Sequence, residues 1–206
     1  MKSLCLALLL TVSCGLSYAH ASSASFPGSV PILLGNDSIR KDLSLSRSQC
    51  TALDRLRSSY KSDARAVTAR SPQTAVEKNA ANTAIESLNA KYNARALALL
   101  TPAQTLRLDQ IGHQTLGAWM LFLPRIQDSL HLADGQKALI SKIEASGKTF
   151  VNDLNHDFED GKISLQERLE KLRHWRNKES KKLMRLLTPE QRRSLQSLHG
   201  PAFQAT

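Results

Sequence analysis

The chain has 206 residues, 41% of them hydrophobic and 5% aromatic, with 28 Lys and Arg against 18 Asp and Glu for a formal net charge of +10. That length admits one or two small domains, and the dominance of Ala, Leu, Lys, Arg, Glu and Gln over nine Gly and seven Pro favours helix throughout. Three cysteines, Cys5, Cys14 and Cys50, exclude a disulfide framework once the N-terminus is read.

Residues 1–21 read as a secretory signal peptide. Lys2 supplies the positive start, Leu4 to Leu16 the short apolar stretch, and Ala19-His20-Ala21 the small-residue cleavage pattern. The apolar stretch falls short of the roughly 20 residues that span a bilayer. Cleavage after Ala24 is a second option, and lipoprotein processing at Thr11-Val12-Ser13-Cys14, which would acylate and anchor Cys14, a third. The expected compartment is the periplasm, with Cys50 the single cysteine left, either buried or paired between molecules. In an exported chain the positive charge points to anionic lipid, acidic envelope polymers or acidic protein clients rather than to nucleic acid.

Residues 22–37, with Pro27, Gly28 and Pro31, read as a flexible N-terminus. Beyond them the chain matches itself at an offset of 87 residues. Leu100-Thr101-Pro102-Ala103-Gln104 recurs as Leu187-Thr188-Pro189-Glu190-Gln191, and the segment Leu43 to Gln49 aligns with Leu130 to Gln136. Two tandem helical units follow, residues 38–118 and 119–206. In the first, Gln49, Leu53, Leu56, Tyr60, Ala64 and Val67 recur at three- and four-residue steps and mark one helix face. Ser71-Pro72 is read as the start of a second helix carrying Ile85, Leu88, Tyr92 and Ala96, and Thr101-Pro102 as the start of a third. In the second unit Ile140, Ile143, Gly147, Phe150, Leu154 and Phe158 mark one face. Asp160-Gly161-Lys162 breaks that helix, Leu165 to Leu186 forms the next, and Thr188-Pro189 opens the last. The run Trp119 to Pro124 is expected to lie buried between the units. No stretch alternates for long enough to be a strand, so the fold class is all-α.

The five-residue motif has a mechanical explanation. Thr101 and Thr188 are N-cap residues whose hydroxyls accept from backbone N–H groups in the first helical turn, and Gln104 and Gln191 reach back to the cap N–H. Ser46 and Gln49 repeat the arrangement. Gln136 lacks its hydroxyl partner because Ala133 holds the cap position, with Asp134 as a partial substitute, so that cap is expected to be weaker by about 1 kcal/mol.

These residues resemble the LTxxQ-motif family of periplasmic proteins, the Spy/CpxP-like group. The motif starts are Leu45 and Leu100, then Leu132 and Leu187, each pair 55 residues apart. The resemblance implies an exported all-helical protein. Family members form cradle-shaped homodimers of thin helical hairpins, which implies that the two units here pack as an intramolecular pseudo-dimer, giving a monomer or a homodimer of the whole chain. It also implies an ATP-independent chaperone that holds unfolded or acidic clients. The alternatives are a regulator that docks on an envelope stress sensor kinase, and a structural protein that binds anionic polymers or lipid heads. Two features depart from the family: the third motif has lost its hydroxyl, and no His- or Met-rich segment is present.

No residues point to catalysis, a metal or a cofactor. His113, His131, His156, His174 and His199 are scattered, and no nucleophile motif or phosphate-cradling loop occurs. The most pointed feature is a basic helix. Arg168, Arg173, Arg176, Lys181, Lys182 and Arg185, with Lys171 and Lys178, surround Trp175 and outnumber Glu170 and Glu179. This surface is the candidate for holding acidic or partly unfolded chains, by electrostatic capture and apolar contact.

Overall fold

The computed structural model describes residues 29–69 and 74–204. The signal peptide, Cys14 and the Ser71-Pro72 start therefore lie outside the described residues. Every regular element among the described residues is a helix, as the composition and periodicity require. The chain divides into two compact units, one holding residues 29–69, 74–112 and 201–204, the other His113–Gly200. The dividing line is thus six residues earlier than the expected 118/119 boundary, and residues 201–204 belong to the first unit: Arg107 donates to the Pro201 carbonyl at 2.7 Å and Phe203 packs on the first core.

The first unit begins with two short helices, α1 (Val30–Leu33) and α2 (Asp37–Asp42). The expectation of a flexible stretch through residue 37 is corrected here. Val30, Pro31 and Leu34 are fully buried, and Val30 N–H donates to the buried Asn93 Oδ1 at 2.7 Å. Pro31 sits in the first turn, where its missing N–H costs nothing, and Asn36 caps α2 through Ser38 and Ile39 N–H. The apolar residues Val30, Leu34 and Ile39 carry enough burial to order the segment despite its Gly and Pro neighbours. A long hairpin follows, α3 (Arg47–Thr68) and α4 (Ala75–Leu97), then α5 (Pro102–Leu116). The N-cap of α4 is Thr74, in a capping box with Glu77, rather than Ser71. The core joins Leu53 and Leu56 of α3, Tyr92 and Ala96 of α4, and Leu108 and Ile111 of α5 to the α1–α2 segment.

The second unit has the same order of parts. A 3-10 helix (Gly117–Phe122) and α6 (Pro124–Ser129) precede the hairpin of α7 (Asp134–Glu159) and α8 (Leu165–Leu186), and α9 (Pro189–Ser197) closes the unit. The Trp119–Pro124 run is therefore not a junction between units: Met120, Leu121, Phe122 and Leu123 are buried in the second unit's own core with Ile126, Ile140, Leu183, Leu187 and Leu195.

Positions 87 apart hold matching places. α2 begins at Asp37 and α6 at Pro124; α3 begins at Arg47 and α7 at Asp134. Both short helices end with a non-glycine residue in the left-handed region, Ser44 (φ 49°) and His131 (φ 48°). There Leu45 N–H donates to Arg40 O and Ser44 N–H to Lys41 O, and Leu132 and His131 do the same with Gln127 and Asp128. This is the Schellman arrangement, which fixes the direction in which the chain enters the next capping box. The correspondence slips at the hairpin tips. α8 starts at Leu165, 90 residues after Ala75, while α7 runs through Glu159 and stops at the Gly161 turn (φ 71°).

Candidate binding surface

The motif glutamines do more than cap. Ser46 Oγ accepts from Gln49 N–H at 3.2 Å and Gln49 Oε1 accepts from Ser46 N–H at 2.9 Å. Thr101 and Gln104 make the same box at 3.3 and 2.9 Å. The two carboxamides then meet. Gln49 Nε2 donates to Gln104 Oε1 at 2.8 Å and to Leu99 O at 2.8 Å, while Gln104 Nε2 donates to Gln49 Oε1 at 3.3 Å and to Leu43 O at 3.2 Å. Each amide thus uses two donors and two acceptor positions, its full complement. In the second unit Gln136 Nε2 donates to Gln191 Oε1 at 2.8 Å and to Leu186 O at 2.6 Å, and Gln191 Nε2 to Gln136 Oε1 at 3.1 Å and to Leu130 O at 3.4 Å. Thr188 Oγ1 accepts from Gln191 N–H at 3.2 Å and Thr188 N–H donates to Gln191 Oε1 at 2.9 Å. At the Ala133 cap only the glutamine half exists: Ala133 N–H donates to Gln136 Oε1 at 2.9 Å, and no side chain, Asp134 included, caps the helix from the other side. The equal 55-residue spacing of the motifs was the sequence signal for this pairing; capping alone leaves it unexplained. A saturated, neutral amide pair ties helix starts together and offers no group for catalysis.

The basic helix α8 is set by a capping box at Ser164 and Glu167. Bonds from the Ser164 backbone and side chain, with Lys171 nearby, hold the Glu167 carboxyl below its ordinary range. The sequence-derived surface residues do not act as one group. Arg168 is half-buried and engaged: its Nε and Nη2 reach Asn155 Oδ1 at 3.1 and 2.7 Å, and its guanidinium lies 5.4 Å over the Phe158 ring. Lys182 pairs with the buried Glu179 at 2.7 Å. Arg176 lies 5.7 Å over Trp119. Arg173, Lys181 and Arg185 are exposed, and among the described residues no carboxylate comes within ion-pairing distance of them.

Trp175 is an organised half-buried ring. It stacks on Phe150 of α7 at 5.2 Å and 15°, and its centroid is 5.3 Å from that of Trp119. Its six-membered ring lies against Gly147, where a Cβ would stand 2.6 Å from Cη2 and 2.9 Å from Cζ2. That contact explains a glycine inside a long helix, which costs about 1 kcal/mol relative to alanine. Phe150 and Trp175 line a shallow open depression with Glu170, Lys171, His174 and Lys178. Sequence reading had Phe150 on the apolar face of one helix and Trp175 on the next but could not bring them together. Nearby, at the free end of the hairpin, Phe158, Leu165 and Leu169 remain 38–50% exposed.

His113 is structural. Its Nδ1 lies 3.1 Å from Leu198 O and its Nε2 3.1 Å from Arg125 Nη2, which suits a neutral ring donating through Nδ1. Among the described residues no cluster of His, Cys, Asp and Glu could hold a metal ion, and no helix is long and apolar enough to cross a membrane. Comparison with protein-family models, with curated proteins and with solved structures gives no match for this chain.

Proposed function

We propose that this chain is an exported envelope protein of the LTxxQ type that binds protein segments, holding unfolded or acidic clients without nucleotide and without catalysis. One observation carries the reading: α8 carries the half-buried Trp175 together with the exposed cations Arg173, Lys181 and Arg185, and among the described residues no carboxylate comes within ion-pairing distance of those three. Attraction of this kind speeds capture and weakens with salt, while apolar contact slows release. The exposed Leu165 and Leu169 extend the apolar part of the surface.

The matched caps, glutamine pairs and left-handed turns at positions 87 apart support descent of both units from one ancestral unit by duplication. By the same reading the units pack as an intramolecular pseudo-dimer, and the chain acts in the periplasm as a monomer or homodimer. Fragments split near residue 112 that fold separately and fail to associate would remove the pseudo-dimer.

The deciding measurement is light scattering of a chemically denatured client with the purified protein at equimolar and lower ratios. Suppression without nucleotide, reduced at high salt, is the expected result. No suppression at several-fold excess overturns the reading. A single saturable partner found by crosslinking would then favour a sensor-kinase regulator, and salt-sensitive binding to polyanions a structural role.

A further inference from the structure

We infer that the Phe150–Trp175 depression recognises a specific peptide pattern: an extended segment with an apolar side chain flanked on both sides by carboxylates. The inference rests on the binding reading above and names its ligand class. The floor is the aromatic stack, held rigid because Gly147 admits the indole and Trp119 backs it. The rim is charged unevenly. Lys171 and Lys178 are its cations, set against one carboxylate, Glu170, which Gln166 Nε2 contacts at 3.2 Å, and His174 completes the lining. Lys171 shares its field with Glu167, and among the described residues Lys178 has no carboxylate at pairing distance. An acidic partner is therefore complementary at this spot.

Spacing sets the pattern. Lys171 and Lys178 are seven residues apart on one helix face, about 10.5 Å along the axis. An extended chain places residues j, j+2 and j+4 on one side and covers about 13 Å between the outer two. Carboxylates at j and j+4 thus reach the two flexible lysines while the side chain at j+2 points onto the aromatic floor. An open depression with a flat aromatic base fits a branched aliphatic or aromatic side chain there and has no walls to select its shape. The ligand class is accordingly a pattern, acidic–x–apolar–x–acidic, that many chains contain.

The test uses the purified protein and the synthetic peptide Glu-Ser-Leu-Ser-Glu, followed through Trp175 emission in Trp119→Phe and in parallel by calorimetry with the unaltered protein. Saturable binding is expected, weaker by about ten-fold for Gln-Ser-Leu-Ser-Gln and for the double variant Lys171→Glu/Lys178→Glu, a factor typical of lost charge complementarity. Both lysines are exposed, so the unfolding midpoint of the double variant should stay in place, and Glu170→Gln should tighten binding. Absence of saturable binding at millimolar peptide, or equal binding by the double variant, overturns the inference. So does lysine-dependent binding to phosphatidylglycerol vesicles without peptide binding, which would assign the surface to lipid. Client suppression that persists without peptide binding removes this inference alone. Peptide binding without client suppression removes the chaperone reading and leaves the site.

Discussion

The two units agree at most of their helix starts and differ in the middle of their hairpins. At the starts, the paired glutamines and left-handed turns are alike to the individual hydrogen bond, and the caps match except for the hydroxyl that Ala133 lacks. In mid-hairpin the first unit uses Tyr60 and Tyr92, edge to face at 5.6 Å. Their hydroxyls are tied locally, Tyr60 to Asn89 Oδ1 and Tyr92 to Asp63 Oδ2, each at 2.8 Å. The position 87 beyond Tyr60 is Gly147, and the space it leaves is filled by Trp175 from the opposite helix. Two tyrosines with hydrogen-bonded hydroxyls give way to an aromatic stack that is open on one side. The lesson is a division of labour: backbone-directed polar contacts set the shared frame, and a change of side-chain size in the middle makes one hairpin different from the other.

The largest effect that bears on this comparison is expected at the glutamines. Gln49→Ala removes the partner of the Ser46 N–H and of the Leu99 carbonyl and leaves the Gln104 amide with only its Leu43 and Thr101 bonds, which should cost about 3 kcal/mol given about 1–3 kcal/mol for each buried unsatisfied group and partial solvent access here. Gln136→Ala removes the equivalent bonds and should cost about the same, because the hydroxyl that Ala133 lacks is missing before and after the substitution. Chemical denaturation can follow each unit separately: both tryptophans lie in the second unit, and Tyr60 and Tyr92 in the first. A larger loss in the second unit would mean that the Ser46 hydroxyl partly compensates for a missing glutamine in the first. Strict additivity of Gln136→Ala and Gln191→Ala would mean that the amides are not coupled at all.

The frame was legible in the sequence because its causes are local. Ser or Thr three residues before Gln, proline after the cap and apolar steps of three and four specify helix starts without reference to anything distant. The glutamine pairing was half legible: its spacing was visible, its geometry was not, because contact between residues 55 apart depends on how α3 packs against its neighbours. The N-terminal segment was misread because Pro31 and nearby glycines outweighed a sparse apolar pattern, Val30, Leu34 and Ile39, whose burial becomes evident only once Asn93 and the hairpin are in place. On α8 charge was easy to count, yet counting could not separate Arg168 and Lys182, already engaged, from Arg173 and Lys181. That distinction needs the partners Asn155 and Glu179 in three dimensions.

A smaller effect tests whether the missing hydroxyl is the whole difference between the caps. Ala133→Ser should restore the full box and stabilise the second unit by about 1 kcal/mol, and Ser46→Ala should take the same amount from the first. The backbone at Ala133 already has cap geometry, φ −66° and ψ 153°, matching Ser46 at −66° and 159°, so the serine needs no rearrangement. No gain in the tryptophan-reported midpoint would show that water satisfies this helix start as well as a hydroxyl does.

The smallest effect separates the units by pH, and its sign follows from which groups are shifted. In the first unit Asp54 is held below the ordinary carboxylate range by its bonds to Arg40, and Asp42 by its bonds to Arg107. A lowered acid stabilises the fold at pH values above its unfolded pKa of about 3.9, and that contribution is lost as pH falls through the folded value. In the second unit burial, with His113 nearby, lowers the His199 pKa, and its Nε2 is buried without a partner. A lowered base works in a different window. Above its unfolded pKa of about 6.5 it is neutral in both states; below it the unfolded chain takes up the proton first and the fold loses stability until the folded group titrates too. Acidification from pH 7 to 5 should therefore weaken the tryptophan-reported unit while leaving the tyrosine-reported unit unchanged, and the first unit should yield only below about pH 4. His199→Gln should flatten the upper window and leave the lower one alone. Simultaneous loss of both signals near pH 4 would show that carboxylates govern both units and that the buried imidazole carries no weight.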